Sequence, residues 1–168
     1  MIGVDTHVLI WGLQKQATPN RAHMIPRAEQ LIADATEAKE RMLVPSLVLS
    51  ELLVQYSPEA RAAMLAEMHH SFFIADFNFR AAAIAAKLYA DKEARNASRD
   101  AGGTTTQCIK VDISILATAE AHHPRIFYVE DGPIHELAKR MAHHLTIRVE
   151  PLPNVRPKQK TLGDEFGP

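Results

Sequence analysis

Cysteine is almost missing from this chain: among 168 residues only Cys108 carries a thiol. A single thiol excludes an internal disulfide and fits a reducing, cytoplasmic setting. Neither sign of charge dominates, with 19 lysines and arginines against 20 aspartates and glutamates. If the partner is nucleic acid, its phosphates must therefore be met by a local basic surface, because the chain as a whole offers no positive field. No apolar run approaches the ~18 residues of a membrane span, and no basic leader with an apolar segment precedes a cleavage site. Aromatic residues make up only 6%, which argues against an aromatic-cored sandwich. What is abundant is alanine, leucine and isoleucine, within a hydrophobic fraction of 46%. That is the composition of a helix-rich α/β domain long enough to bury a substantial core.

The first dozen residues organise the rest. Met1 to Val4 is a short apolar run ending on an acid, Asp5, and the helical pattern of Val8, Leu9, Trp11 and Leu13 begins almost at once. A strand that hands over to a helix in this way puts Asp5 at the carboxyl edge of a parallel sheet, where ligands gather. Thr18-Pro19-Asn20 marks a turn. Ala28, Leu31, Ile32 and Ala35 then give the apolar face of a helix from about 25 to 42. Leu43-Val44 reads as a minimal strand stopped by Pro45, with Ser46 as the N-cap of a helix from 47 to about 56. Pro58 opens another helix, to about 70. Residues 71–75 fit a strand, an edge or a packed loop, and Asp76 or Asn78 caps a long helix to about 96.

From 95 to 107 apolar periodicity disappears around Gly102-Gly103-Thr104, which predicts a flexible loop. Helical spacing resumes near Cys108 with Ile109, Ile113, Leu116 and Ala117. Ile126 to Val129 is a buried strand ending on Glu130-Asp131, followed by a helix from about 134 to 144 and a last strand at 145–149. Four prolines and scattered charge after Glu150 predict one domain, 1–150, with an extended or disordered tail, 151–168. The order of elements predicts a parallel sheet sandwiched between helices.

Four carboxylates stand at element ends or interrupt apolar faces: Asp5, Glu51, Asp112 and Asp131. Glu51 lies between Leu47 and Val54 on its helix, in surroundings where a carboxylate is costly unless something positive meets it. Clustered carboxylates do not stay ionised together without a cation. Oxygen ligands with no Cys or His pattern select Mg²⁺ or Mn²⁺, and such an ion can polarise a phosphoryl oxygen during in-line attack on a phosphodiester.

Asp-Thr-x-x-Leu-Ile-Trp at 5–11, Pro-Ser-x-x-x-x-Glu at 45–51 and Asp-Ile-x-Ile-Leu-Ala-Thr-Ala at 112–119 resemble successive motifs of the PIN-domain nucleases. Ile126 to Val129 followed by Glu130-Asp131 is similar to the last acidic motif of that family. The resemblance spans about 1–149. It implies a three-layer α/β/α fold with a parallel sheet of about five strands, and Mg²⁺- or Mn²⁺-dependent endonucleolytic hydrolysis of RNA. For members like the toxin nucleases of the VapBC type it further implies a homodimer and a small antitoxin protein as inhibitor. Carried over by residue, Asp5, Glu51 and Asp112 are metal ligands, Asp131 is the fourth acid, and Thr6 orients water or a ligand. The chain departs from the family where a threonine or serine often stands two places before the fourth acid. Here that position is Val129, and Glu130 competes with Asp131 for the role.

Each acid also has a plain structural reading. Asp5 can cap the following helix, Glu51 can be solvated, Asp112 can stabilise a helix dipole, and Asp131 can be a turn residue before Gly132-Pro133. Asp76 reads as a cap and Asp100 as a loop residue. The histidine pairs 69–70, 122–123 and 143–144 suggest zinc, but neighbours on a helix point about 100° apart and read as surface residues near helix ends. His7, Lys110 and Arg99 are substrate-contact candidates against a solvated alternative. The second apolar side of the helix at 47–56, with the helix at 58–70, is a candidate dimer face. Two rival functions stand beside the nuclease. One is an RNA-binding or regulatory protein of the same fold with weak catalysis. The other is a phosphoryl-transfer enzyme using Asp5 as nucleophile, disfavoured because position 7 is His where such phosphatases carry a second Asp.

Overall fold

The computed structural model describes residues 1–102, 105–130 and 132–156. Asp131 and most of the predicted tail, 157–168, lie outside the described residues. Five parallel strands form one sheet in the order β3-β2-β1-β4-β5. They are β1 (Ile2–Val4), β2 (Met42–Pro45), β3 (Phe73–Ala75), β4 (Ile126–Tyr128) and β5 (Arg148–Glu150). β1, β2 and β4 are buried along their whole length, which is why they read as unbroken apolar runs without alternation. Gly3 is required by this packing, since a Cβ there would stand 2.6 Å from Cδ2 of Phe127 on the neighbouring strand.

The sheet order has a functional consequence. The chain builds outward from β1 through β2 to β3, then crosses back to place β4 on the other side of β1. The direction of winding therefore reverses between β1 and β4, and a crevice opens beyond the carboxyl ends of those strands.

The helices are α1 (Thr6–Leu9), α2 (Met24–Glu37), α3 (Ser46–Val54), α4 (Pro58–Ser71), α5 (Phe79–Ala90), α6 (Lys92–Gly102), α7 (Thr106–His122) and α8 (Gly132–Arg140). α7 packs on α3 and α5, and α2 packs on a π turn, Ile10–Gln14, that continues α1. α2 buries Met24, Ala28, Leu31 and Ala35, the stripe its sequence spacing gives. It stops at Glu37 because the chain reverses through Lys39 at φ 52° to reach β2, so the helix expected to about 42 is shorter.

Other expectations are corrected by local geometry. Ser46 is the first residue of α3 and its hydroxyl caps nothing. The side chain of Asn78, not of Asp76, accepts the Ala81 N–H at 3.0 Å and starts α5. The long helix expected to 96 breaks at Asp91, whose Oδ1 accepts from Ala94 N at 3.0 Å and starts α6. The flexible loop expected at 95–107 is thus helical to Gly102, and helix resumes at Thr106 with Thr105 as its cap. The last strand starts at Arg148, after a 3-10 turn, Ala142–His144. Of the predicted tail, residues 151–156 lie along α2. Leu152 is buried, Arg27 Nε donates to Pro153 O at 2.9 Å, and Arg156 N donates to Gln30 Oε1 at 2.9 Å. Among the described residues no helix is long and apolar enough to cross a membrane.

At the opposite, amino edge of the sheet, Arg125 grips Glu40 with both arms, Nε–Oε1 at 2.8 Å and Nη2–Oε2 at 2.9 Å, and the α-amino group of Met1 lies 3.0 Å from Oε1. The Arg125 guanidinium, reinforced by that amino group, pulls the Glu40 carboxyl down to about 2. A depressed carboxyl binds its proton less readily folded than unfolded. Its stabilisation is therefore complete above the ordinary glutamate range and is lost as the pH falls from about 4.5 toward about 2. Glu40→Gln is expected to lower the urea midpoint at neutral pH. The gap from wild type should narrow at about pH 3; an equal gap at both pH values would show that the ion pair is energetically silent.

Candidate metal centre at the carboxyl edge of the sheet

Asp5 stands where β1 ends, at the winding reversal. Its side chain is only 4% exposed, and both oxygens have assigned work. Oδ1 accepts the Val8 N–H at 3.0 Å and so caps α1, and Oδ2 accepts the Glu130 N–H at 3.2 Å across the crevice. The Asp5 N–H continues the ladder to Tyr128 O at 3.1 Å. The capping reading of Asp5 therefore holds alongside any other role, and the same bonds fix the carboxylate rigidly between β1 and β4.

Thr6, the next residue, donates its hydroxyl to Glu51 Oε2, which brings α3 to the end of β1. Glu51 itself is exposed, and Val54, one of the apolar flanks, is 73% exposed. The expectation of a carboxylate trapped in apolar surroundings is therefore corrected, because that side of α3 opens to solvent. Asp112 is half-buried in the second turn of α7, which packs on α3. A helix dipole acts within the first turn, so dipole stabilisation does not account for an acid this far along.

Glu130 and Lys110 direct their charged groups elsewhere. The carboxylate of Glu130 turns away toward the tail, where Oε1 accepts from Leu152 N at 2.7 Å and lies 3.9 Å from Arg27 Nη2. Lys110 places its ammonium 5.6 Å from the centre of the Tyr89 ring, on the side of α7 facing α5. Arg99 is exposed on α6.

Beside Asp5 lies a cleft of about 680 Å³, bordered by His7, Trp11, Thr18, Arg21, Glu130 and Pro133 among others. Trp11 is buried, and its ring centre is 5.4 Å from that of His7. Among the described residues the cleft offers one cation, Arg21, and the imidazole of His7 backed by buried Trp11, a combination suited to a phosphate. Arg21 was not singled out in the sequence, whereas Trp11 was, as part of the apolar helical pattern and of the motif at 5–11. The only local sign of Arg21 was the turn signal at Thr18-Pro19-Asn20, which becomes a 3-10 turn, Pro19–Arg21.

The PIN domain family model matches residues 2–139. No curated protein matches the sequence. Among solved structures, the chain is similar to one in the crystal structure of VapBC2 from Rickettsia felis bound to a DNA fragment from their promoter. That match has a TM-score of 0.56 and 13% identity, and covers 91% of this chain and 100% of the other. It is also similar to one in DNA-bound VapBC from Salmonella typhimurium, with a TM-score of 0.57 and 15% identity over 90% of this chain and 98% of the other.

Proposed function

The chain belongs to the PIN domain family, and from that premise we propose that it is a metal-dependent endoribonuclease acting at the crevice between β1 and β4. The observation that carries the reading is the fixed carboxylate of Asp5 at the winding reversal, with Glu51 brought to its neighbour Thr6. In this reading Asp5, Glu51, Asp112 and Asp131 hold Mg²⁺ or Mn²⁺. The donor set fits, because it consists of carboxylate oxygens alone, the ligands such hard cations select. When bound, the ion supplies positive charge to a phosphoryl oxygen and acidifies a water.

The chain's own residues do the rest. Two backbone N–H groups hold Asp5 still, so that its oxygens keep one position through turnover. Thr6 aims Glu51 by its hydrogen bond. With its carboxylate committed to Leu152 N, Glu130 leaves the fourth acidic role to Asp131. Arg21 receives a backbone phosphate of the RNA and His7 contacts the neighbouring nucleotide. The solved structures it resembles are VapBC complexes bound to DNA, which supports a toxin role with a small antitoxin protein as partner. Val54 and Leu65 leave exposed apolar surface on α3 and α4 for a second copy of the chain.

Purified protein incubated with end-labelled RNA is expected to cleave it with Mn²⁺ or Mg²⁺ and to stop when EDTA is added. RNA bound but left intact in every metal would favour the regulatory alternative. Arg21→Ala is expected to weaken RNA binding and raise KM while leaving the metal requirement unchanged.

A further inference from the structure

A second ligand cluster lies apart from the nuclease edge, at the junction of α6 with the turn that precedes β5. Asp91, His143 and His144 bring one ligand atom each within 4.8 Å of one another. His143 Nε2 and His144 Nε2 are both 3.5 Å from the same oxygen, Oδ2 of Asp91. Neighbouring residues leave a 3-10 turn about 120° apart, yet the side chains of these two fold toward each other and their ring centres are only 3.9 Å apart. The expectation that neighbouring histidines point apart fails for this pair, while the expectation of residues near a helix end holds and His143 is exposed.

The spacing leaves room for a cation between the groups. A charged N–H···O bond is about 2.7–2.9 Å long, whereas both contacts here are longer. An ion with bonds of about 2.0–2.1 Å to its ligands in tetrahedral geometry sets those ligands roughly 3.3–3.4 Å apart, close to what is found. The carboxylate is also held for the task. Its Oδ1 is committed to the Ala94 N–H as the cap of α6, which leaves Oδ2 directed at the two imidazoles. Outer contacts of this kind orient metal ligands. Asp91 and His144 are half-buried, His143 is exposed, and Asp91 and His143 border an open cleft of about 300 Å³ through which an ion can enter. Arg140 borders the same cleft, but its guanidinium is paired with Glu136 at 2.8 Å.

We propose that Asp91, His143 and His144 form a site for a zinc-like divalent transition-metal ion. Two imidazole nitrogens and one carboxylate oxygen suit Zn²⁺ and its neighbours better than Mg²⁺, which selects oxygen and octahedral geometry. Bound there, the ion fastens the start of α6 to the turn entering β5, two segments far apart in sequence. The site is independent of the nuclease acids in residues and in ligand chemistry.

The test is calorimetric titration of zinc chloride into the full chain, prepared without a histidine tag, stripped of metal and kept in excess Mg²⁺ to fill the acidic edge. Wild type and Asp5→Asn are expected to bind one Zn²⁺ alike. Asp91→Asn, which keeps the helix cap, is expected to weaken binding by at least about tenfold. The double variant His143→Ala/His144→Ala is expected to abolish it while its metal-free thermal midpoint stays close to wild type. Zinc binding that survives the double variant, that fails in wild type, or that is lost in Asp5→Asn but kept in the double variant would overturn the proposal.

Discussion

Replacing Asp5 with Asn is expected to lower RNA cleavage by at least about a hundredfold, as loss of a metal ligand or of a fixed charge at the reacting centre does. The side chain keeps its shape and can still cap α1, since Asn caps as well as Asp. It cannot serve both of its present donors, however. Val8 N–H and Glu130 N–H each occupy one carboxylate oxygen, and an amide has only one oxygen to offer. The expected structural cost is one hydrogen bond, about 1 kcal/mol, or a fall of about 2–4 °C in the thermal midpoint. Glu51→Gln separates the two effects. Glu51 is exposed and accepts from the Thr6 hydroxyl alone among the bonds described above, so its loss of charge should reduce cleavage at least about tenfold with an unchanged midpoint. Full activity in both variants would remove these carboxylates from the site.

The second large effect is on stability and concerns Glu120. This residue of α7 is 5% exposed and has no basic partner among its described contacts. Instead its carboxylate accepts three hydrogen bonds from the approach to β5: Thr146 N at 2.9 Å, Ile147 N at 3.1 Å and Thr146 Oγ1 at 2.6 Å. Two peptide N–H groups and a hydroxyl therefore depend on one side chain. Glu120→Ala leaves the buried Ile147 N–H without its acceptor, at a cost on the order of 1–3 kcal/mol, whereas Thr146 is exposed, so water can take up its N–H, and its hydroxyl also lies 3.5 Å from His123 Nδ1. A total of about 2 kcal/mol is expected, which lowers the thermal midpoint by about 4–8 °C in a chain of this size. Glu120→Gln, with one acceptor oxygen left, should fall between. Thermal unfolding followed by circular dichroism checks the order. An alanine variant within a degree or two of wild type would show that solvent replaces the carboxylate.

Much of the sheet was legible because its central strands are buried on both faces and so appear as bare apolar runs: Leu43-Val44 and Ile126 to Val129 are two of them. Asp5 was legible for the same reason, as the acid that ends such a run. What escaped the sequence depended on contacts between distant segments. Glu120 lies in Ala119-Glu120-Ala121-His122, where nothing local distinguishes a buried acceptor from a solvated glutamate. The helix α6 has little apolar periodicity, and its order comes from the Asp91 cap, the burial of Ala94 and the stacking of Arg95 on Tyr89 at 4.1 Å. Pattern reading also overextends, as α2 illustrates. Residues 38–42 would fit a continuing helix, and only the left-handed turn at Lys39 shows that the chain leaves for β2. The apolar flank of Glu51 failed in the opposite sense, since hydrophobic neighbours on a helix do not ensure burial when the helix lies at the surface.

In the proposed site, acids from four separate stretches hold one or two hard divalent cations at the winding reversal. The most direct test is Mn²⁺ binding, followed by the electron paramagnetic resonance signal of the free ion, in wild type and in the double variant Asp5→Asn/Asp112→Asn. Wild type is expected to withdraw Mn²⁺ from solution, Mg²⁺ to compete for the same site, and the double variant to leave the free-ion signal undiminished. Equal withdrawal by wild type and the double variant would contradict the assignment.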